Sequence, residues 1–163
     1  MGITIRHYIS SDTKGLLSCV KEFRKYLIFI NPDRKKNLPD EFFQKWMEER
    51  QREIAGGTGS IFVATENNEI VGYTYGLIIK PQPHELNEYN PVSKGEIVDI
   101  YVKAQAQSKG VGKLLVSTIN KHFQDHGCTQ ASLLVLSTNK KALSFYEHLG
   151  FTHDAIEMVF KFT

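Results

Sequence analysis

The stretch "QSKGVGKLL", residues 107–115, sets two glycines one residue apart in front of an apolar helical pattern. Beyond it, Val111, Leu114, Leu115, Ile119 and Phe123 recur at the spacing of one helix face. Ahead of it, "GEIVDIYV", residues 95–102, reads as a strand. A strand that enters a helix through glycines is suited to bind an anion. The first N–H groups of a helix lack carbonyl partners, and glycine keeps side chains out of the ligand's way. The turn therefore predicts a phosphate-bearing ligand.

Two common phosphate motifs fail here. A nucleotide-triphosphate loop needs glycine five residues before Gly112 and Ser or Thr after Lys113, where the chain has Gln107 and Leu114. A dinucleotide fingerprint needs a third glycine at Leu115, and it belongs after a first strand rather than late in the chain.

Outward from the turn, the remaining elements follow from periodicity and punctuation. "GITIRHYI", residues 2–9, alternates as a strand, and Leu16, Val20, Phe23 and Leu27 share one helical face. Asp40 is placed to cap a second helix that carries Phe43, Trp46 or Met47, Arg50 and Ile54 and ends at "GGTGS", residues 56–60. "SIFVATE" and "EIVGYTYGLII" flank Asn67-Asn68 and predict a hairpin. The segment 80–95 holds Pro81, Pro83 and Pro91 and is a long loop, either a substrate lid or a solvated connection. After the glycine turn, Gly127 ends a helix, and "ASLLVLS", residues 131–137, reads as a strand covered on both faces. "NKKALSFYEHLGF", residues 139–151, returns to helix. The tail alternates Ile156, Met158, Phe160 and Phe162 against Glu157 and Lys161, which predicts a last antiparallel strand. The order β-α-α-β-β-β-α-β-α-β gives an α/β (α+β) fold. A single domain over residues 1–163 has one mixed central sheet with helices on both faces.

Bulk properties narrow the function. Twenty basic and 18 acidic residues give a net charge of +2, so nothing argues for nucleic acid and an anion must be recognised locally. No apolar run has transmembrane length, and the N-terminus reads as a strand rather than a signal peptide. A cytoplasmic location is expected, with no membrane partner. Cys19 and Cys128 sit in apolar patterns and read as reduced, packed thiols. His122 and His126, with Cys128 nearby, lack a further ligand at zinc spacing, so no metal is expected.

Two motifs together point to a family. Gln107, Gly110 and Gly112 match Q/R-x-x-G-x-G/A, and Asn139, Ala142, Phe145, Tyr146, Gly150 and Phe151 match N-x-x-A-x-x-F-Y-x-x-x-G-F. In this order and with room between them for one helix and one strand, they resemble the GNAT family of N-acetyltransferases. The resemblance covers essentially the whole chain and is strongest from Glu96 to Phe151. Ser108 stands where the family often has glycine.

The resemblance implies acetyl-CoA as cofactor and an amine of a small molecule or peptide as acceptor. It implies that Gln107, Ser108, Lys109, Gly110, Val111, Gly112 and Lys113 meet the diphosphate. Main-chain groups of Ile100, Tyr101 and Val102 would meet the pantetheine where two strands splay, with Asn139 and Ala142 along the arm. Tyr146 corresponds to the general acid, since a phenol (pKa about 10) is still protonated when a thiolate (about 8.5) leaves. For the base, Glu96 and Asp99 are both candidates, and attack through a water chain is a third route. Residues three apart on a regular strand face opposite sides, so both carboxylates face the site only if a bulge falls between them. A non-catalytic acyl-CoA sensor on the same scaffold is the alternative function, and a homodimer is left open.

Overall fold

A computed structural model describes residues 2–31, 38–81, 83, 93–160 and 162. Asn67 and Asn68 take φ of 51° and 65°, the paired left-handed conformation of a two-residue hairpin turn. The hairpin joins β2 (Gly59–Glu66) to β3 (Glu69–Ile79). With β1 (Thr4–His7), β4 (Lys94–Val102) and β5 (Gln130–Leu133) they form one sheet in the order β1-β2-β3-β4-β5. All neighbours are antiparallel except β4 and β5. A parallel pair needs a crossover, and α3 (Val111–Asp125) supplies it directly after the glycine turn.

Helices cover both faces, as expected. On one, α1 (Thr13–Ile30) and α2 (Asp40–Ala55) bury Leu16, Val20, Trp46 and Met47 against Tyr73 and Tyr75 of β3. On the other, Val111, Leu115, Ile119 and Phe123 of α3 pack on Phe62, Val71 and Ile97. A flat window in the sheet seats that helix. A Cβ on Gly95 would lie 2.1 Å from Phe123 Cδ2, and one on Gly76 would lie 2.6 Å from Phe123 Cζ. The last helix, α4 (Lys140–His148), lies beyond β5 in sequence. None of the described helices is long and apolar enough to cross a membrane.

Three details depart from expectation. Pro39 occupies the cap position of α2 and Asp40 is its first helical residue; its carboxylate pairs with Lys21 at 2.6 Å instead of capping. The strand expected over residues 131–137 stops at Leu133, because β4 turns away there and Leu134–Leu136 have no ladder partner. The last expected strand is not formed: described residues 152–160 are in no strand, and Ile156, Met158, Phe160 and Phe162 are 80–92% exposed. A period-two pattern says which side chains want cover, but it does not provide the edge that covers them. Residues 82 and 84–92 of the proline-rich segment lie outside the described residues, and the choice between lid and connection lies there with them.

At the C-terminal end of α3, His122 packs against Phe62, His7 and His126, and its Nε2 lies 2.7 Å from Ser60 Oγ. Burial first, then the neighbouring His126 and His7, hold the imidazole below its ordinary 6.5, against a smaller upward pull from Asp125. As pH falls through 6.5 the unfolded chain therefore takes up the proton first. Stability is lost from there down to the lower folded-state value and then levels. Thermal melts from pH 7.5 to 5 should show a falling Tm, and His122→Gln should flatten that slope.

Candidate functional site

The site begins with one extra residue. Tyr75 pairs with Asp99 and Gly76 with Ile97, so Val98 has no partner and β4 bulges. The bulge falls between the two candidate carboxylates. Glu96, Asp99 and Tyr101 consequently share a face, opposite Leu77, Tyr75 and Tyr73 respectively. It also bends β4 away from β5, whose pairing ends at Ile97 and Leu133. Beyond that point the strands splay around a cavity of about 570 Å³. Val98, Ile100, Tyr101 and Val102 form one wall, and Leu133–Leu136 form the other. Phe23, Tyr26, Leu27 and Ile30 of α1 reach it from one face of the sheet, while the glycine turn and α4 reach it from the opposite face.

The turn is built differently at each of its special residues. Ser108 adopts φ 64°, a left-handed conformation, which explains why glycine is common there in the resembling motif. Gly110 has φ 78°, and a Cβ there would meet nothing within 4 Å, so its surroundings are open. Gly112 is different: its Cβ would come 3.1 Å from Phe145 Cζ, so this glycine lets α3 approach α4. Among the described residues, the N–H groups of Ser108, Lys109 and Gly110 donate to no main-chain carbonyl. The first helical N–H groups that follow have none to donate to. Open space beside Gly110 and a run of free N–H donors fit a diphosphate held by main chain.

Side chains around the turn have defined tasks. Gln107 donates Nε2–H to the Val102 carbonyl at 3.0 Å and accepts from Lys141 Nζ at 3.2 Å, strapping the end of β4 to α4. Lys109 is paired with Glu66 at 2.9 Å, so its charge is already partnered. Asn139 caps α4: its Oδ1 accepts from the Ala142 N–H at 3.2 Å and from Tyr26 Oη at 3.4 Å. Its Nδ2 has no partner among the described residues, which leaves a donor for a ligand arm.

Tyr146 stands in the cavity wall between Phe145 and Phe151, with ring centroids at 5.1 and 5.7 Å. Burial pushes its phenol up to about 12, and its hydroxyl has no hydrogen bond among the described residues. The carboxylates differ sharply. Asp99 is 3% exposed and accepts from Arg24 Nη2 at 2.8 Å and from Tyr73 Oη at 3.3 Å. Glu96 is half-buried and has no ion pair or side-chain hydrogen bond among the described residues. Tyr101 donates to Glu22 at 3.2 Å, and burial, then Glu22, pushes its phenol up to about 12.

Both cysteines are buried and free, and burial raises both thiols, Cys19 to about 11. A thiol held in its protonated form is a poor nucleophile. Sequence reasoning set the acceptor beside the first two helices and Tyr26, but named none of Phe23, Leu27 and Ile30 of α1 as a cavity residue. Its three- and four-residue spacing marked a buried face, but not which neighbour would leave a gap beside it.

The sequence model of the acetyltransferase (GNAT) family matches residues 26–151. Mycothiol acetyltransferase of Thermomonospora curvata is 27% identical over 112 residues, 69% of this chain and 34% of that protein. The chain spans about a third of the length of the curated relatives of that name. The tetramutant of the BH1408 protein from Bacillus halodurans has the same fold, with a TM-score of 0.83, 18% identity, and coverage of 98% of this chain and 99% of that one. So does AAC(6')-Iy in complex with the bisubstrate analogue CoA-S-monomethyl-acetylneamine, at a TM-score of 0.76 and 15% identity, covering 100% of this chain and 99% of that one. Bulge, splay, glycine turn and motif agree with the family match over most of the sequence: the chain belongs to the acetyltransferase (GNAT) family.

Proposed function

We propose that this chain transfers the acetyl group of acetyl-CoA to a primary amine of a small molecule or peptide, by direct attack with both substrates bound. One domain spanning residues 1–163 would carry the whole reaction. The carrying observation is the splay: a cavity walled by β4 and β5 that is reached by α1 on one face and by the glycine turn and Tyr146 on the other. Two reactants can meet there from opposite faces of the sheet. When bound, acetyl-CoA supplies an activated acetyl thioester.

The residues divide the work. Free N–H groups from Ser108 to Lys113 hold the diphosphate, with Lys113 adding charge, and Asn139 Nδ2 donates to the arm. The freed edge of Ile100 and Tyr101 aligns it, while the Val102 carbonyl is already taken by Gln107. Tyr146 Oη directs its proton toward the leaving sulfur. With its phenol at about 12, outright transfer to a thiolate near 8.5 runs uphill, so Tyr146 acts chiefly by donating a hydrogen bond as charge builds on sulfur. Glu96, without an ion pair among the described residues and just before the bulge rather than in the cavity wall, is the assigned base, acting through a water. Asp99, locked to Arg24 and Tyr73, is a positioning group that fixes the bulge.

Thiol release from acetyl-CoA, screened over polyamines, aminoglycosides, amino acids and peptide N-termini, tests the activity. Release with one amine class and none without acceptor supports transfer. Tight acetyl-CoA binding with no release across the panel favours the sensor reading instead. Glu96→Gln should lower kcat about 100-fold near neutral pH. The loss should shrink as pH approaches the acceptor amine's own pKa, and a kcat–pH profile that stays parallel to the unmodified protein's would sink the assignment.

A further inference from the structure

Four side chains of α1 line the cavity at the spacing of one helix face: Phe23, Tyr26, Leu27 and Ile30. Phe23 also serves the fold, since it packs on the buried core and its ring lies 5.8 Å from that of Tyr101. Leu27 and Ile30 do not. Both are half-buried, and among the described residues neither packs against either buried core. Val98, the bulge residue that no strand partner claims, lines the same cavity at 40% exposure. Three apolar side chains thus border the place where the strands part, with no core to pack on in the described chain.

The polar groups of this wall are already engaged. Tyr26 Oη donates to Asn139 Oδ1 at 3.4 Å, and Tyr101 Oη donates to Glu22 at 3.2 Å. The charged side chains of the described lining are Lys113 and Lys141, both cationic, on α3 and α4. A second positive charge on an acceptor finds no opposite charge in that lining. The hydroxyls of an aminosugar find little on the α1 wall to replace the water they give up. Building on the transfer reading, we infer that the acceptor is a small primary monoamine on an apolar body, whose hydrocarbon lies along Leu27, Ile30 and Val98. The occupant follows from continuity: the apolar border begins where the two reactants meet and runs out along α1. The amine nitrogen gives one proton through water to Glu96. It gives a second to the departing sulfur as its bond to the acetyl carbon forms and the carbon–sulfur bond breaks, leaving an amide and a thiol.

Thiol release with ethylamine, butylamine and hexylamine at saturating acetyl-CoA tests the assignment, because these amines are almost equally basic and differ in hydrocarbon alone. Burial of each added methylene is worth about fourfold, so kcat/KM should rise roughly 100-fold or more from ethylamine to hexylamine. Putrescine, which is butylamine with a second ammonium group, should fall about tenfold or more below butylamine. Leu27→Asn and Ile30→Asn, each checked for an unaltered far-UV circular dichroism, should flatten the slope of the series. In the unreactive complex with coenzyme A, hexylamine should slow amide exchange at residues 26–30 and ethylamine should not. A flat or falling series overturns the proposal and leaves transfer in place. So does putrescine or glucosamine outpacing hexylamine, a slope that both variants leave intact, or exchange in α1 that hexylamine does not change. No thiol release with any amine overturns the transfer reading, and this proposal with it.

Discussion

Tyr146→Phe should lower kcat about 100-fold and leave the KM for acetyl-CoA within about twofold. The argument is one of differential binding. The ring fills the wall between Phe145 and Phe151, and phenylalanine keeps that packing. The variant removes only a hydroxyl that has no partner among the described residues, so neither fold nor cofactor seat loses a contact with it. What disappears is a donor whose work begins as charge appears on the departing sulfur, and deleting one such donor typically costs 10²–10³ in rate. The pH profile adds a second readout. With the phenol pushed to about 12, no alkaline limb below about pH 11 belongs to Tyr146, so the variant's profile should keep its shape and drop in height. A variant as fast as its parent removes Tyr146 from the reaction.

Gly95→Ala should destabilise the fold by about 3 kcal/mol, the upper end of the usual cost of overpacking. For a chain of this size that lowers Tm by roughly 10 °C. The new methyl would sit within 2.6 Å of three atoms of the Phe123 ring, and Phe123 is 1% exposed and hemmed in by Gly76 on the adjoining strand. The ring has nowhere to go unless α3 lifts, and lifting α3 moves the glycine turn at its other end. Relief should therefore come from shrinking the ring: Phe123→Leu should cost less in the Gly95→Ala background than alone, by about 1 kcal/mol or more. Chemical denaturation of the four proteins closes that cycle. Purely additive losses would mean that the window does not seat the ring.

Much of this was legible in the sequence because local rules agreed with the global fold. Asn67-Asn68 encoded its turn, four of the five apolar positions read on α3 encoded a buried face while Leu114 turned out 45% exposed, and the two spaced motifs encoded the order of elements. What escaped depends on relations between strands. The family resemblance implied a bulge on this strand, but nothing in "GEIVDIYV" states that Val98 is the residue skipped, since the skip arises from β3's register across the sheet. Likewise Asp99 and Glu96 were both candidates as letters, and the difference in their surroundings appeared only when α1 brought Arg24 to Asp99 from 75 residues away. The tail failed for a third reason: its pattern was read as belonging to this sheet, while its own chain leaves it uncovered.

Val98 has a consequence for how such a site can be inherited. The opening between β4 and β5 is specified first by a number of residues, one more on β4 than on its neighbour, and the side chains of its walls come second. Substitutions along the walls can therefore reshape what the gap admits, generation after generation, while its existence stays constant. Relatives of this chain should diverge freely in the letters around the gap and hardly at all in the spacing between Glu96 and the glycine turn.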